Sequence, residues 1–272
     1  MTDIPAPAIR PAASSTRRFK TARTVIALIM REMQTTYGRN VGGYAWALLE
    51  PIGGIAFFTA AISIGLRIRE PALGNSFALF YATGFLALSM FLGVSGKVAS
   101  ALQFSRPLLK YPGVEFSDAI LARFLLTTMT QLMVALIIFS GIHILFEIET
   151  ILNVEAIVAG LLLAALLGLG IGVVNCYLFS VMPLWQSAWG ILTRPLFLFS
   201  TIFFTFEDVP KEFQDELWWN PIVHCVGFLR RGFYATYDAP WVSGVYLVLL
   251  SLALTLIGLA LLRRFHGDIL NR

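Results

Sequence analysis

The side chains that most often perform chemistry are few in this sequence and are not grouped. His143, His224 and His266 lie in different segments, and none belongs to a His-Glu-x-x-His zinc pattern. Cys176 and Cys225 are far apart and lack the spacing of a metal site. The sequence therefore predicts neither a metal site nor a catalytic group, and each histidine is interpreted as a polar residue at the boundary of an apolar segment.

Patterns that mark nucleotide hydrolysis or acyl transfer are also missing. The sequence contains no Gly-x-x-x-x-Gly-Lys-Ser/Thr phosphate loop and no Gly-x-Ser-x-Gly nucleophile elbow. We therefore expect a chain that is not an enzyme, has no cofactor of its own and does not bind ATP through a phosphate loop.

A few charged residues near apolar segments are the remaining candidates for a polar role. Glu50, Lys97 and Arg194 occupy such positions. An ionisable group inside a membrane costs about 2.5–3.5 kcal/mol on insertion scales, so it usually faces a partner or a polar cavity. All three also lie close enough to the predicted membrane interfaces to reach water, so the sequence leaves a conducting role open.

The overall composition is strongly apolar and poor in charged residues. Of 272 residues, 57% are hydrophobic and 13% are charged, whereas about a quarter of the residues in a soluble domain are charged. Several apolar runs approach or exceed the ~20 residues that cross a ~30 Å hydrocarbon layer. Because a backbone in lipid must satisfy its own hydrogen bonds, these runs are predicted to be helices. The sequence thus predicts an all-α membrane protein.

Six transmembrane helices are predicted, and Pro51 is expected to kink the first. They cover about residues 44–66, 76–98, 119–146, 154–181, 187–206 and 242–262. A cytoplasmic N-terminus places fifteen of the 20 basic residues inside, as the positive-inside rule requires. The five that remain outside are Arg67, Arg69, Lys211, Arg230 and Arg231. Both termini of this multi-pass chain are therefore expected in the cytoplasm, with the helices in a membrane of the inner-membrane type.

The N-terminal region divides into a tail and a helix. Residues 1–15, rich in Pro, Ala and Ser, predict a disordered cytoplasmic tail, and residues 16–272 form the transmembrane domain. In residues 16–37, apolar side chains recur at helical spacing. They are Phe19, Ala22, Ile26, Ile29, Met33 and Tyr37. This pattern predicts an amphipathic interface helix on the membrane surface; the alternative, a helix packed on a soluble core, is weaker because no such core follows.

Residues 206–241 are the most informative external segment. Asn220 followed by Pro221 is typical of a helix start. The apolar run that follows, 222–229, is too short to cross a membrane and ends at two arginines. We predict re-entrant external helices between spans 5 and 6, in which an acidic surface helix precedes a short helix that dips into the outer leaflet. A plain periplasmic loop is the alternative.

Two further patterns concern contacts. The cytoplasmic loop 103–117 mixes basic residues with apolar ones that suit a protein partner better than water. The fourth span carries small residues at every fourth position, a spacing that lets another helix approach closely. They are Gly160, Ala164, Gly168 and Gly172. Packing within the chain is favoured over packing on a second copy.

Residues 31–51 (REMQTTYGRNVGGYAWALLEP) resemble the opening signature of ABC-2-type permeases. The resemblance is greatest to the branch that exports capsular polysaccharide, with O-antigen and teichoic-acid permeases as relatives. The matched elements are Arg31-Glu32, Tyr37-Gly38, the glycine before Tyr44, Trp46 and Glu50-Pro51. The order of interface helix, six spans, loop and re-entrant segment also matches, so the resemblance covers nearly the whole chain.

The resemblance implies a permease subunit that exports lipid-linked polysaccharide across the inner membrane. Two copies would pair with two ABC ATPase subunits, which would bind the ATP and Mg. A periplasmic adaptor and an outer-membrane exporter would complete the route through the envelope, and no nucleic acid is involved. The implied ATPase interface contains Arg31, Glu32, Arg106, Leu108, Lys110 and Tyr111.

Aromatic rings suit the implied path because sugar faces stack on them without a fixed register. The aromatic candidates are Tyr81, Phe85, Trp185, Trp189, Trp218 and Trp219. Arg230 and Arg231 are added because they would attract an anionic polymer or a lipid phosphate. The alternatives are a drug or lipid exporter of the same superfamily, a membrane-embedded transferase, and a passive channel or scaffold.

Overall fold

The computed structural model of the protein is built of helices. It describes residues 20–36, 43–65, 70–107 and 115–271, and no β-strand occurs within these ranges. The helices are α1 (Lys20–Thr36), α2 (Gly43–Ala60) with a π-helical turn after it (Ala61–Gly65), α3 (Phe77–Ala99), α4 (Ala101–Ser105), α5 (Phe116–Leu145), α6 (Val154–Val181), α7 (Pro183–Leu192), α8 (Leu196–Phe199) with a 3-10 turn after it (Phe206–Asp208), α9 (Lys211–Trp218), α10 (Pro221–Phe233) and α11 (Gly244–Asn271).

Five of these helices are long and apolar enough to cross a membrane. They cover Ala45–Ile64, Phe77–Ala99, Phe116–Leu145, Val154–Val181 and Gly244–Phe265. In order, they correspond to the predicted first, second, third, fourth and sixth spans. The all-α prediction is thus confirmed for the described residues, whereas the predicted tail, residues 1–15, lies outside them.

The residues predicted as the fifth span, 187–206, do not form one continuous helix. The first helix there, α7, ends at Leu192; α8 is a single turn, and residues 200–205 are irregular. Pro195 explains the interruption, because its nitrogen has no hydrogen to donate to the carbonyl four residues earlier. Ser200 and Thr201 are nevertheless buried, so the irregular segment lies inside the protein.

The segment between the last two predicted spans is helical. It contains α9 and α10. The Asn220 side-chain oxygen accepts a hydrogen bond from the backbone N–H of Ile222 at 3.1 Å, and Pro221 is the first helical residue. The predicted start of this helix is therefore confirmed.

Helix α6 is the central element, and it packs against α3, α10 and α11. Its small-residue stripe forms part of these contacts. A Cβ added at Gly160 would lie 3.1 Å from Leu229 of α10, and one added at Gly172 would lie 2.7 Å from the Cβ of Val98 of α3. The stripe thus serves packing within this chain, as the sequence favours.

Replacing Gly172 by Ala is expected to lower the thermal stability of the protein. The added Cβ would overlap Val98, and overpacking of this kind costs about 1–3 kcal/mol. Gly96→Ala on α3 is the matched control, because no described residue lies within 4 Å of its added Cβ. The measurement is the unfolding temperature of each purified variant in detergent; equal values for the two variants would contradict the packing role.

Candidate functional site

Helix α1 is attached to α5 through a small apolar contact. Val25 and Leu28 are buried and pack with Ala122 of α5. The predicted apolar face of α1 is offset from this contact, since Ile26 and Met33 are 55% and 41% exposed. Helix α1 therefore presents one apolar strip to α5 and leaves a second one uncovered by the described part of this chain.

A buried ion pair lies beside this contact. Arg123 Nε is 3.1 Å from Glu32 Oε1, and both side chains are less than a tenth exposed. The same guanidinium donates through Nη1 to the carbonyl of Lys97 at 2.9 Å and to Ser100 Oγ at 2.7 Å. A cation is well placed there, because the last carbonyls of a helix carry partial negative charge. Arg123 thus connects α1, α5 and the C-terminal end of α3.

The ring of Phe104 joins α4 to this group. The guanidinium carbons of Arg123 and Arg31 lie 4.2 Å and 5.5 Å from its centroid, within the range of cation–π attraction. Arg106 follows two residues later and is exposed. The structure therefore brings the predicted interface residues Arg31 and Glu32 close to the start of the predicted cytoplasmic loop.

Three other predicted interface residues cannot be placed in this way. Leu108, Lys110 and Tyr111 lie outside the described residues. Arg123, in contrast, is part of the site but was not predicted from the sequence, where it counted only as one of the cytoplasmic basic residues. The available signal was one arginine within a long apolar helix, a position that usually requires a partner.

Replacing Arg123 by Gln is expected to destabilise the protein by roughly 3–5 kcal/mol, because Glu32 would remain buried without its cation. Glu32→Gln combined with Arg123→Gln should be less harmful than the sum of the two single changes. The measurement is a double-mutant cycle on thermal unfolding in detergent. Arg23→Gln, an exposed position outside the pair but on the same helix as Glu32, is the control. Additive effects of the two single changes would exclude the pair as a stabilising contact.

A second buried arginine holds the irregular segment after α8. Arg230 is 1% exposed, and its Nη1 and Nη2 donate to the carbonyls of Phe204 and Thr201 at 2.9 Å and 2.6 Å. The ring of Phe80 lies 4.2 Å from the guanidinium carbon. Thr201 has a φ of 55°, a conformation that β-branched residues avoid. Arg230 stabilises this strained backbone, while its predicted attraction for an anionic polymer stays a prediction.

His224 organises the contacts between α9, α10 and α11. It is 0% exposed, and its Nε2 lies 2.8 Å from the carbonyl of Trp218. Its Nδ1 accepts a hydrogen bond from the backbone N–H of Ser243 at 3.1 Å. These partners fix a neutral ring with the proton on Nε2, because a carbonyl only accepts and an N–H only donates. The rings of Trp218, Trp241 and Tyr246 surround it.

An acidic side chain is fixed at the surface of the same region. The Glu207 carboxylate accepts hydrogen bonds from the hydroxyl of Tyr237 at 2.9 Å and from the indole N–H of Trp241 at 2.8 Å. Burial, with Glu207 as the second cause, raises the pKa of Tyr237, so its hydroxyl remains a donor. The 3-10 turn is thereby tied to the segment that follows α10.

Four of the predicted path residues are directed into the protein. Tyr81 is buried against the ring of Phe203, and Phe85 packs on Phe197. Trp185 donates its indole N–H to Asn175 Oδ1 at 2.9 Å. Trp189 is half-buried against the core. These side chains connect α3 and α6 to the divided α7–α8 segment.

The remaining path candidates differ in their exposure. Trp218 is half-buried and donates its indole N–H to the carbonyl of Trp241 at 3.0 Å. Trp219 is 67% exposed. Arg231 is exposed, whereas the neighbouring Arg230 is buried. Within the described residues no cluster of metal-ligating side chains occurs.

Comparison with known proteins gives consistent matches. The family profile described as ABC-2 type transporter matches residues 23–234. The chain is 31% identical over 240 residues to polysialic acid transport protein KpsM of Escherichia coli, covering 88% of this chain and 92% of that protein. It is 30% identical over 251 residues to capsule polysaccharide export inner-membrane protein CtrC of Neisseria meningitidis serogroup B, covering 91% and 92%. Capsule polysaccharide export inner-membrane protein BexB of Haemophilus influenzae is 28% identical, with 91% and 92% covered.

Proposed function

Because this chain belongs to the ABC-2 type transporter family, we propose that it is the permease subunit of an ABC transporter that exports capsular polysaccharide across the inner membrane. The observation that carries the proposal is the match to relatives named for polysialic acid transport and capsule polysaccharide export over about nine tenths of both chains. The substrate is a lipid-linked polysaccharide. The chain is a transport subunit, and its partner ATPase subunits bind ATP and Mg and hydrolyse the nucleotide.

The proposed topology has six crossings, with both termini in the cytoplasm. Five crossings are the long apolar helices, and α7, α8 and the irregular segment together form the fifth crossing of the six in chain order. The distribution of basic residues supports this orientation. Helix α1 lies on the cytoplasmic membrane surface with its exposed strip toward lipid, and α9 and α10 form the re-entrant external element.

The ATPase contacts α1 and the loop that begins at α4. The buried group around Arg123 supports this role, because it joins α1 and α4 to α3 and α5 through an ion pair, hydrogen bonds and a shared aromatic ring. A displacement of α1 by the ATPase is thus passed to two long helices. The interface is completed by Arg31 of α1, Arg106 directly after α4, and the loop residues Leu108, Lys110 and Tyr111.

Charge reversal at Arg106 and Lys110 is expected to reduce co-purification of the ATPase several-fold while the permease still inserts in the membrane. The reversed side chains would then be negative, like the ATPase surface that binds the basic loop, and the two surfaces would repel each other. Lys211→Glu, an exposed position on the proposed external side, is the control and should not change co-purification. Unchanged recovery of the ATPase with the double variant would remove this loop from the interface.

The complete assembly contains two copies of this chain and two ATPase subunits, with a periplasmic adaptor and an outer-membrane exporter beyond them. The polymer passes between the two permeases. Trp219 and Arg231 are available to it because both are exposed. The buried candidates, Tyr81 and Arg230 among them, require a change of conformation before they contact substrate.

Deletion of the gene tests the proposed function directly. We expect the polysaccharide to accumulate inside the cell and to disappear from its surface, because synthesis continues without export. The measurement is antibody labelling of intact and of permeabilised cells, with plasmid-borne wild-type chain as the control. Complete loss of polymer would indicate a role in synthesis, and unchanged surface polymer would indicate a different cargo; either result contradicts the proposal.

A further inference from the structure

A polar stripe runs along the face of α7 turned away from α6 and continues into the turn, residues 193–195, that follows this helix. With 3.6 residues per turn, five residues share about one third of the circumference. They are Gln186, Ser187, Gly190, Thr193 and Arg194. All are exposed except the half-buried Thr193, and nothing in the described chain lies within 4 Å of a Cβ added at Gly190. The stripe is therefore not used for packing inside the described part of the chain.

The other two faces of α7 differ from the polar stripe in polarity or in exposure. Leu184 and Ile191, 84% and 65% exposed, form an apolar strip beside the polar stripe. Trp185 and Trp189 are half-buried, and the former is hydrogen bonded to α6. The helix thus has three sides: one toward α6, one apolar and one polar. Only the polar side is unsuited to hydrocarbon.

In the proposed topology Arg194 lies near the middle of the membrane and not, as expected from the sequence, close to an interface. The ring centroids of Phe197 and Phe85 are 6.3 Å apart. Phe85 lies about 12 Å along α3 from the first residue of that helix, at 1.5 Å per residue. Arg194 precedes Phe197 by three residues, or about 5 Å. Since α3 is 23 residues long, about 34 Å, Arg194 lies close to half its length.

The guanidinium of Arg194 has no hydrogen bond or ion pair with the residues that the structure describes. Arg123 and Arg230, in contrast, are buried and each has several partners. A guanidinium at this depth is not left in hydrocarbon, so it faces water or an anion that enters from outside the chain.

We infer that the polar stripe of α7 lines the water-filled export path and that Arg194 binds an anionic group of the passing substrate. The inference rests on the proposed function and narrows it to a substrate with carboxylate or phosphate groups. A guanidinium binds both through paired hydrogen bonds. The glutamine and serine offer hydrogen bonds to sugar hydroxyls, and Gly190 leaves room for them.

Glu50 points to the competing explanation. It is exposed on α2, whose Phe58 packs on Phe197 at 5.1 Å between ring centroids, so α2 is a neighbour of the segment that carries Arg194. The competing explanation is that Arg194 pairs with Glu50 of a second copy across a symmetric dimer interface. The substrate is favoured over Glu50 as the partner of Arg194, because Arg194 belongs to a continuous polar stripe. Glu50, in contrast, lies beside two exposed apolar residues, Leu49 and Ile52.

Cysteine labelling tests whether the stripe is in water. Ser187→Cys and Gly190→Cys should react with a charged, water-soluble methanethiosulfonate in intact membranes, and Leu184→Cys and Ile191→Cys on the apolar strip should not. The native Cys176 and Cys225 are buried, so the unmodified chain gives a low background. Failure of the stripe positions to react, or equal reaction on both faces, would overturn the inference.

Export measurements test the role of the charge. Arg194→Gln should lower surface polysaccharide at least about tenfold with normal permease abundance, and Arg194→Lys should lose less because it keeps the cation. Arg194→Cys should regain export after reaction with a cationic thiosulfonate but not after reaction with an anionic one. Normal export by Arg194→Gln would overturn the inference, as would restoration by combining Glu50→Arg with Arg194→Glu.

The source of the anion is distinguished by the polymer supplied. A defect confined to acidic polysaccharides places the bound group in the glycan, and an equal defect with a neutral polysaccharide on the same lipid places it in the lipid phosphate. Labelling does not depend on the cargo. A labelled stripe in a chain whose deletion leaves export unchanged would therefore overturn the proposed function, while an unlabelled stripe in an exporting chain would overturn only the inference.

Discussion

Close contact between α6 and its neighbours is the interaction on which the rest of the structure depends. In lipid, helices gain little from excluding water and associate through van der Waals contact instead. Glycines permit this contact on more than one face of α6. A Cβ at Gly168 would lie 2.9 Å from Val94 of α3, and one at Gly170 would lie 2.7 Å from the carbonyl of Ser251 of α11. Long helices from distant parts of the sequence are thus gathered around one axis.

The two buried arginines extend this arrangement in different ways. Arg123 has a carboxylate partner and two acceptors at the end of α3, so its charge is balanced locally. Among the residues that the structure describes, Arg230 hydrogen bonds to backbone carbonyls and contacts the face of an aromatic ring. The first joins separate helices, whereas the second supports a stretch of chain that has no helix of its own.

Most of the helical architecture could be predicted from the sequence, because long apolar runs and the Asn220-Pro221 start are local signals. The division of residues 187–206 could not be predicted from hydropathy, which does not register the missing N–H of Pro195. The partners of Arg123 and Arg230 could not be predicted either. Charge and sequence position give the side of the membrane, but burial and partners depend on contacts between residues far apart in the chain.

The ion pair between Glu32 and Arg123 has a consequence for biosynthesis. Helix α1 is made before every membrane-crossing helix, yet the residues that bury it, Ala122 and Arg123, follow only after α3 and α4 have been made. During this interval Glu32 lacks its ion-pair partner Arg123, and α5 covers neither of the two apolar strips of α1. Helix α1 is therefore synthesised before the helix that buries it, and it reaches its final contacts only after α5 has been made.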